Sequence, residues 1–465
     1  MIAPAAGRFS GARGMRGAAT LMAVLFLLIV VAFAVLAAIR MSGSDVIDTS
    51  LGQSGLNALL LAESGVERAA ARYVSGTACT ALSVDGPHTL GQGSFTVNGA
   101  YSTDFSGAKL PADECRIQSV GAVGVVQRTV QAILQLPASA PGFVVGIGGV
   151  ALHCGGSGGS ASCKPTGTNT TDNLVGVSCP TASGCMAVGA NGTVIEWTGS
   201  SWSTLLGQGS GLQFTSVSCA PGGLNDCYVT GSWFGSWPII LYWDGISWYY
   251  AYVNFGGPVY SSISCAGTGA GTTCYAVGSG SQYWVGNIAS ANLLNANSTY
   301  PLYAVSCVSV SACWATENYG RNYHGGIWYF DQLGSTGGTE TASYRVGGNA
   351  ADLYSISCDA VADCWVAGAQ KGGHATFAYW NGTWTAQPST AAKQNLYGID
   401  CLTANDCWVA GGRGTVLQGT GTGSARIWSA VTSGTTAQLN AVSFPESGSG
   451  AGGSTVVVQW HEIES

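Results

Sequence analysis

Hydrophobic and polar positions fall into three patterns along the chain. Residues 18–39 are apolar and uncharged without a break, a run long enough to span a bilayer as a helix. Over residues 44–73 the apolar positions Leu56, Leu59, Leu60, Val66, Ala69, Ala70 and Tyr73 recur mostly three and four apart, with no proline. That spacing predicts an amphipathic helix with one face for a sheet. The two stretches together predict one helix about 80 Å long, bent near Gly43, Gly52 and Gly55. Strand-like runs follow at residues 93–98, 115–121 and 125–136, and Pro137 and Pro141 punctuate their end.

From Leu174 onward the pattern repeats. Six units open with an aliphatic or aromatic residue, two variable positions, Val or Ile, Ser or Asp, and Cys: LVGVSC, FTSVSC, YSSISC, LYAVSC, LYSISC and LYGIDC. LNAVSF at Leu439 is a seventh opening, with Phe444 in the cysteine position. The openings recur about every 40–50 residues, near the period of four-stranded propeller blades. Within a unit the first strand ends at the first cysteine, and a second strand starts at the next. GTVIEW and ATFAYW read as third strands, SSWSTL and GTWTAQ as fourth. WDGISW and WNGTW place Asp-Gly and Asn-Gly at a hairpin turn, where positive φ is needed. The pattern predicts a seven-bladed propeller, with six blades or a partly open ring as the alternative. The last unit is short, and closure would borrow a strand from residues 143–152, mixing the two ends of the repeat region in one blade.

Composition sharpens this picture. Only 8% of the 465 residues are charged, 16 basic against 23 acidic, about a third of the usual share. A net charge of -7 excludes a nucleic-acid partner, since phosphate binding needs clustered Lys and Arg. All 15 tryptophans lie at or beyond Trp197, and 70 residues are glycine. The 16 cysteines pair off by proximity as Cys79–Cys115, Cys154–Cys163, Cys179–Cys185, Cys219–Cys227, Cys265–Cys274, Cys307–Cys313, Cys358–Cys364 and Cys401–Cys407. An even count at regular spacing reads as disulfides formed in an oxidising compartment. Zinc would want CxxC knuckles or nearby histidines, and the five histidines are scattered. No metal or cofactor is expected.

The amino-terminal residues carry a family resemblance. Residues 1–17 form a short leader with Arg8, Arg13 and Arg16 and no acid; the apolar run and then ALLLAESGVERAAARY follow. Residues 1–137 resemble type IV pilin-like proteins, nearest to minor pilins of the PilX and MSHA pilus biogenesis type. The resemblance implies cleavage by a prepilin peptidase between Gly17 and Ala18. It also implies assembly with other pilins through the N-terminal helix, and passage through the inner membrane before display on a pilus or the cell surface. Major pilins carry glutamate at the fifth position after the cleavage site; here it is Met22, which suits a minor or tip subunit. The repeat units resemble BNR/Asp-box and photosystem-assembly-factor-like propeller repeats, with a degenerate Asp-box.

The expected fold class is therefore an α+β pilin-like module, a long helix plus a small antiparallel β head, followed by an all-β propeller. The expected domains are leader (1–17), helix (18–75), β head (76–137), linker (138–173) and propeller (174–465). The expected function is that of a minor pilin or pseudopilin-like tip subunit, not an enzyme, displaying the propeller for adhesion or tip assembly. Type IV pilus and type II secretion are both open. The alternative is a membrane-tethered envelope propeller: a sialidase-type glycosidase or a protein-assembly factor.

A sialidase would need an arginine cluster, but Arg321, Arg345, Arg413 and Arg426 do not recur at equivalent repeat positions. Asp244, Asp352 and Asp400 read as turn or strand-end residues. Asp226, Asp363 and Asp406 precede second cysteines and read as hairpin residues. Tryptophans at fixed repeat positions, such as Trp314, Trp365 and Trp408, read as packing. Aromatics that break the repeat crowd the second unit, Trp233, Phe234, Trp237, Trp248, Tyr249, Tyr250 and Tyr252, and with Tyr319, Tyr323 and Trp328 they are the candidate surface for a glycan or a protein. The candidate ligand-binding residues are Trp233, Trp237, Trp248, Tyr250, Tyr319 and Tyr323.

Overall fold

A computed structural model describes residues 49–463, apart from 75–76, 78, 84, 111–113, 136–139, 157–159, 208–210, 281, 296–299, 318–325, 331–338, 344–351, 372, 388–391, 404, 422 and 446–455. Among the described residues it is a propeller-like all-β fold with eight antiparallel sheets and one α-helix. Gly17, Ala18 and the apolar run 18–39 lie outside the described residues, as does most of the expected 80 Å helix.

The helix is Thr49–Val74. It carries Glu63, Glu67, Arg68 and Arg72, so it is amphipathic rather than lipid-like. Among the described residues no helix is long and apolar enough to cross a membrane. This corrects the single-pass inner-membrane localisation expected from the sequence.

Ala58, Leu61, Ala62, Val66, Ala69, Ala70 and Tyr73 form the buried face of the helix, while Leu60 is 47% exposed. The expected stripe is thus rotated in its first half, and the cause is close approach. A methyl group on Gly121 of the sheet would lie 1.9 Å from the Ala58 carbonyl oxygen. Small residues must therefore face the sheet, and the bulkier Leu60 is turned outward.

That sheet contains β1 (Asp85–Leu90), β2 (Gly93–Tyr101), β3 (Glu114–Val123) and β4 (Val126–Gln135); the last three match the strand-like runs of the sequence, and β1 is additional. Its fifth strand comes from the far end of the chain. Val456–Ile463 pairs antiparallel with β4, with Trp460 opposite Ala132. The expected extension of the propeller through residue 465 is corrected for this segment: β4 would otherwise be an open edge, and the strand covers it. Cys79–Cys115 ties the chain after the helix to β3. Arg68 and Arg72, each 2.9 Å from Asp85, clamp β1 to the helix, and His88 within β1 meets the same carboxyl at 2.8 Å. Those partners hold the Asp85 carboxyl far below the usual carboxylate range, the His88 hydrogen bond contributing most.

The other seven sheets have four strands each. Six are single-unit meanders over residues 174–206, 212–253, 260–295, 302–343, 353–386 and 396–431. The seventh joins Leu439–Ser443 to Gly142–Gly146, Ala151–Gly155 and Ser162–Thr166. Residues 138–173 are therefore not a linker. Their apolar run FVVG is fully buried as a strand, and the glycine-rich stretch around residues 155–173 contributes another. The first strands lie side by side in order, and Leu439–Ser443 lies beside Leu174–Thr181, so the ring of first strands is closed.

One hydrogen bond explains the Ser/Asp position of the repeat. The Ser178 hydroxyl accepts from the Cys219 amide, Ser218 from Cys265, Ser264 from Cys307, Ser306 from Cys358 and Ser357 from Cys401, at 2.9–3.1 Å. Asp400 accepts from the Phe444 amide at 2.7 Å, and Ser443 from Cys179 at 3.0 Å. Each sheet thus holds the next, all the way round. Ser264→Ala would leave the Cys307 amide without its partner and is expected to cost about 1 kcal/mol, read from the denaturant midpoint. A shift below a few tenths would mean the belt contributes nothing.

The cysteine pairs are those the spacing gives. All eight disulfides are present and no described cysteine is free. Every four-stranded sheet carries one. In six of the seven the two cysteines are directly opposed cross-strand partners.

Candidate functional site

Strand alternation gives the ring two faces. Hairpins between first and second strands, with their disulfides, lie on one face together with the third-to-fourth hairpins. Turns between second and third strands share the other face with the connections from sheet to sheet. Three features are built on these faces.

The first is aromatic, on the turn face of the second four-stranded sheet. Phe234 sits in the turn after Cys227–Trp233, Trp237 starts the next strand, and Phe255 follows Trp248–Val253. Trp237 meets Phe234 edge-on at 6.1 Å and Phe255 at 5.2 Å. The three are 40%, 70% and 73% exposed respectively. Phe234 has φ 51°, left-handed backbone that bulky side chains avoid, and its amide donates to the Gly211 carbonyl at 2.7 Å. Tyr250 is also exposed, with Trp233 beside it at 6.1 Å.

Of the sequence candidates, Trp237 and Tyr250 are therefore surface aromatics. Trp233 is only partly buried but packs against the core below it. Trp248 is likewise partly buried: its indole lies 5.0 Å from Trp243 and packs against the same core, because the Asp-Gly hairpin folds the two tryptophans together. Tyr319 and Tyr323 lie outside the described residues. Phe234 stands among the aromatics that break the repeat in the sequence; Phe255 was missed, and its signal was an aromatic next to glycine outside any strand run.

The second feature is an open hollow of about 790 Å³ on the turn face, where the seventh and first sheets meet. Its wall is mostly glycine and threonine, including Thr168, Thr171, Thr193, Thr204 and Thr435, with no ionisable side chain. Much of its hydroxyl complement is already engaged. Thr168 donates to the Gly149 carbonyl at 2.6 Å, and Thr193 donates to Asp172, which also accepts from Asn191. Such a wall supplies neither a general acid nor a base.

The third is a charge cluster on the disulfide face, in the seam between the fifth and sixth sheets. Arg426 is buried, its guanidinium 5.1 Å above the Trp365 ring and donating to the Gly419 carbonyl at 3.0 Å. Asp359, Asp363 and Asp406 surround it electrostatically. Burial pushes the Asp363 carboxyl up to about 7, the Asp359 charge adds to this, and Arg426 opposes it. Burial pushes Asp406 up to about 6, against a hydrogen bond from Gln418 and the Arg426 charge. Arg426 itself comes down to about 10, by burial against the pull of the three acids. Asp359 is likewise pushed up by burial. The cluster joins two sheets and packs on tryptophan, which is the chemistry of a clamp.

The remaining candidates are structural. Asp244 accepts from the Ile246 and Ser247 amides in its turn. Asp226 accepts from Thr272 of the next sheet at 2.6 Å. Trp314, Trp365 and Trp408 are buried. Arg413 occupies a tight turn, and Arg321 and Arg345 lie outside the described residues. Among the described residues no group of His, Cys, Asp and Glu is placed to hold a metal ion.

No protein-family model and no curated protein matches the sequence. Structural comparison finds similarity to YCF48 bound to D1 peptide, at 18% identity and TM-score 0.41, covering 56% of this chain and 82% of that one. YCF48 from Cyanidioschyzon merolae is similar at 14% identity and TM-score 0.43, covering 58% and 88%. The RRP9 WD40 repeats are similar at 13% identity and TM-score 0.48, covering 68% and 90%. The likeness is confined to fold.

Proposed function

We propose that the chain is a non-enzymatic recognition subunit working in an oxidising compartment. The seven four-stranded sheets are the blades of a seven-bladed propeller, whose turn face binds a glycan or protein through Phe234, Trp237 and Phe255. The helix and its five-stranded sheet form the attachment module, on the plan of a minor pilin; the leader ending at Gly17 and the helix packed on an antiparallel sheet support that plan.

The exposed cluster carries this reading. Holding Phe234 in left-handed backbone costs on the order of 1 kcal/mol or more, and exposing three large rings forfeits their burial. Neither helps the fold, whereas aromatic rings dominate contact energetics at recognition surfaces.

Phe234→Gly separates the two effects, because glycine accepts φ 51° without strain. The variant is expected to unfold at the same or higher temperature, yet with Trp237→Ala to bind at least tenfold more weakly. Binding of the purified chain to a glycan array and to whole cells reads the loss. Undiminished binding would remove the surface from the proposal, and hydrolysis of a bound glycan would refute the non-enzymatic role. A mature terminus at Ala18, by mass spectrometry, tests the attachment module separately.

A further inference from the structure

Nineteen large hydrophobic side chains stand exposed among the described residues, and six of them fall between residues 234 and 255: Phe234, Trp237, Ile246, Tyr249, Tyr250 and Phe255. Scattered singly such residues mean little, but a contiguous group marks a surface kept for a partner. These six run along the second four-stranded sheet from one face of the ring to the other. Ile246 is at the tip of the third-to-fourth hairpin, the two tyrosines lie on the fourth strand, Trp248–Val253, and the Phe234 cluster is at the turn-face end.

That fourth strand is the outer edge of its sheet, paired with Trp237–Trp243 and with no other strand among the described residues. At six residues it is the longest outer strand of the seven four-stranded sheets; the others have three to five. It carries neither charge nor proline, the usual guards of an open edge. Its one irregularity is a bulge at Ala251, past the two exposed tyrosines. The outward amides and carbonyls of such an edge alternate along a line about 20 Å long. Another extended backbone matches that pattern, and a sugar does not.

The side chains argue the same way. Asp244 is the only charged residue between positions 231 and 257, and the Ile246 and Ser247 amides already occupy it. The Asn254 amide donates to the Tyr252 hydroxyl at 2.9 Å. A glycan's hydroxyls would find few side-chain partners here. The rings of the cluster meet at 90° and 76°, which makes a notch for an apolar side chain rather than a flat face for a pyranose.

We infer that the partner of this surface is a protein, which adds an extended, largely apolar segment as a fifth strand on Trp248–Val253. One apolar side chain of that segment enters the notch of Phe234, Trp237 and Phe255. The inference rests on the recognition role proposed above and narrows its ligand to a polypeptide strand.

The test selects linear nonapeptides from a random displayed library on the full-length oxidised chain and measures synthetic copies by titration calorimetry. N-methylation at alternate residues of a bound peptide should weaken it about tenfold or more. Methylation at the intervening residues should change affinity less than about twofold, because only one side of a strand faces the edge. This series needs no variant of the protein. Trp237→Ala, which empties the notch, and Tyr250→Lys, which puts a charge on the edge, should each weaken binding about tenfold. Val125→Ser, on the exposed β3–β4 turn, is the control and should change nothing. No selected peptide, or methylation losses without a two-residue period, would overturn the strand addition. Glycan binding that falls with Phe234→Gly and Trp237→Ala while no peptide binds would also overturn it, yet leave the recognition surface in place. Binding indifferent to Trp237→Ala would remove the surface itself, and this inference with it.

Discussion

Full reduction of the oxidised chain is expected to unfold the propeller outright. Each of the seven four-stranded sheets is stapled across a hairpin with the two cysteines only 6 to 9 residues apart. Loops of that size contribute about 2 kcal/mol each on chain-entropy grounds. Their combined effect is as large as the whole net stability of about 5–15 kcal/mol typical of a folded protein. The staples also substitute for something the sequence lacks. With so few charged side chains, surface ion pairs contribute little, and the turns are glycine-rich. Tryptophan fluorescence and near-ultraviolet dichroism in excess reductant at 37 °C should show loss of tertiary structure, reversible on reoxidation. A reduced chain with an unchanged denaturant midpoint would show that burial and the serine belt suffice.

The second large effect is a stability that falls as pH rises. Asp363 has its carboxyl pushed up to about 7 in the folded chain, against an ordinary carboxylate value when unfolded. Between those two values the folded state holds the extra proton, so the slope of stability with pH is negative. The contribution is complete in acid and is lost as pH passes through about 7. Asp406, at about 6, acts in the same direction. The groups facing Asp363 are Asp359, Arg426 and Tyr379, so only one positive charge opposes the accumulating negative ones. Asp363→Asn mimics the protonated acid permanently. It is expected to raise stability by about 1–2 kcal/mol at pH 8, solvent screening of the half-buried carboxyl taking up the rest of the shift, to change little at pH 4, and to flatten the profile between. Denaturant melts at pH 4, 6 and 8 decide it. A variant less stable than the parent at pH 8 would mean that the ionised carboxylate is needed to pair Arg426.

Much of this architecture was legible in the sequence, because it repeats. The L-x-x-[VI]-[SD]-C opening marks a strand start, a bulge, a sheet-to-sheet hydrogen bond and a disulfide, four constraints that act on one short segment. Local signals therefore located the six middle sheets and all the cysteine pairs. What was not legible depended on contacts distant in sequence. That the seventh sheet mixes the two ends of the repeat region was legible at residues 143–152, but not that it takes three strands from there, because residues 155–173 look, by their glycine and serine, like a tether. Val456–Ile463 reads equally well as a repeat strand, and only the open edge of β4 decides otherwise. The helix face was partly misread because Gly121 lets the sheet come close enough to select alanine over leucine. How far Trp248 is covered was not legible for a related reason: its exposure is set by Trp243, across a hairpin.

The pairing of Val456–Ile463 with β4 also sets an order of events. In a chain made from its first residue onward, β1 to β4 emerge early, but their sheet stays one strand short until Ile463 exists. The first strands of the seventh sheet wait as long for Leu439–Ser443. Topologically the propeller is an insertion between the fourth and fifth strands of a smaller sheet, and both structures are sealed by the same final stretch of chain. A product interrupted after the sixth meander would therefore carry two unsealed edges at once, one on the ring and one beside the helix. Successful closure at one end of the molecule reports that the other has been reached.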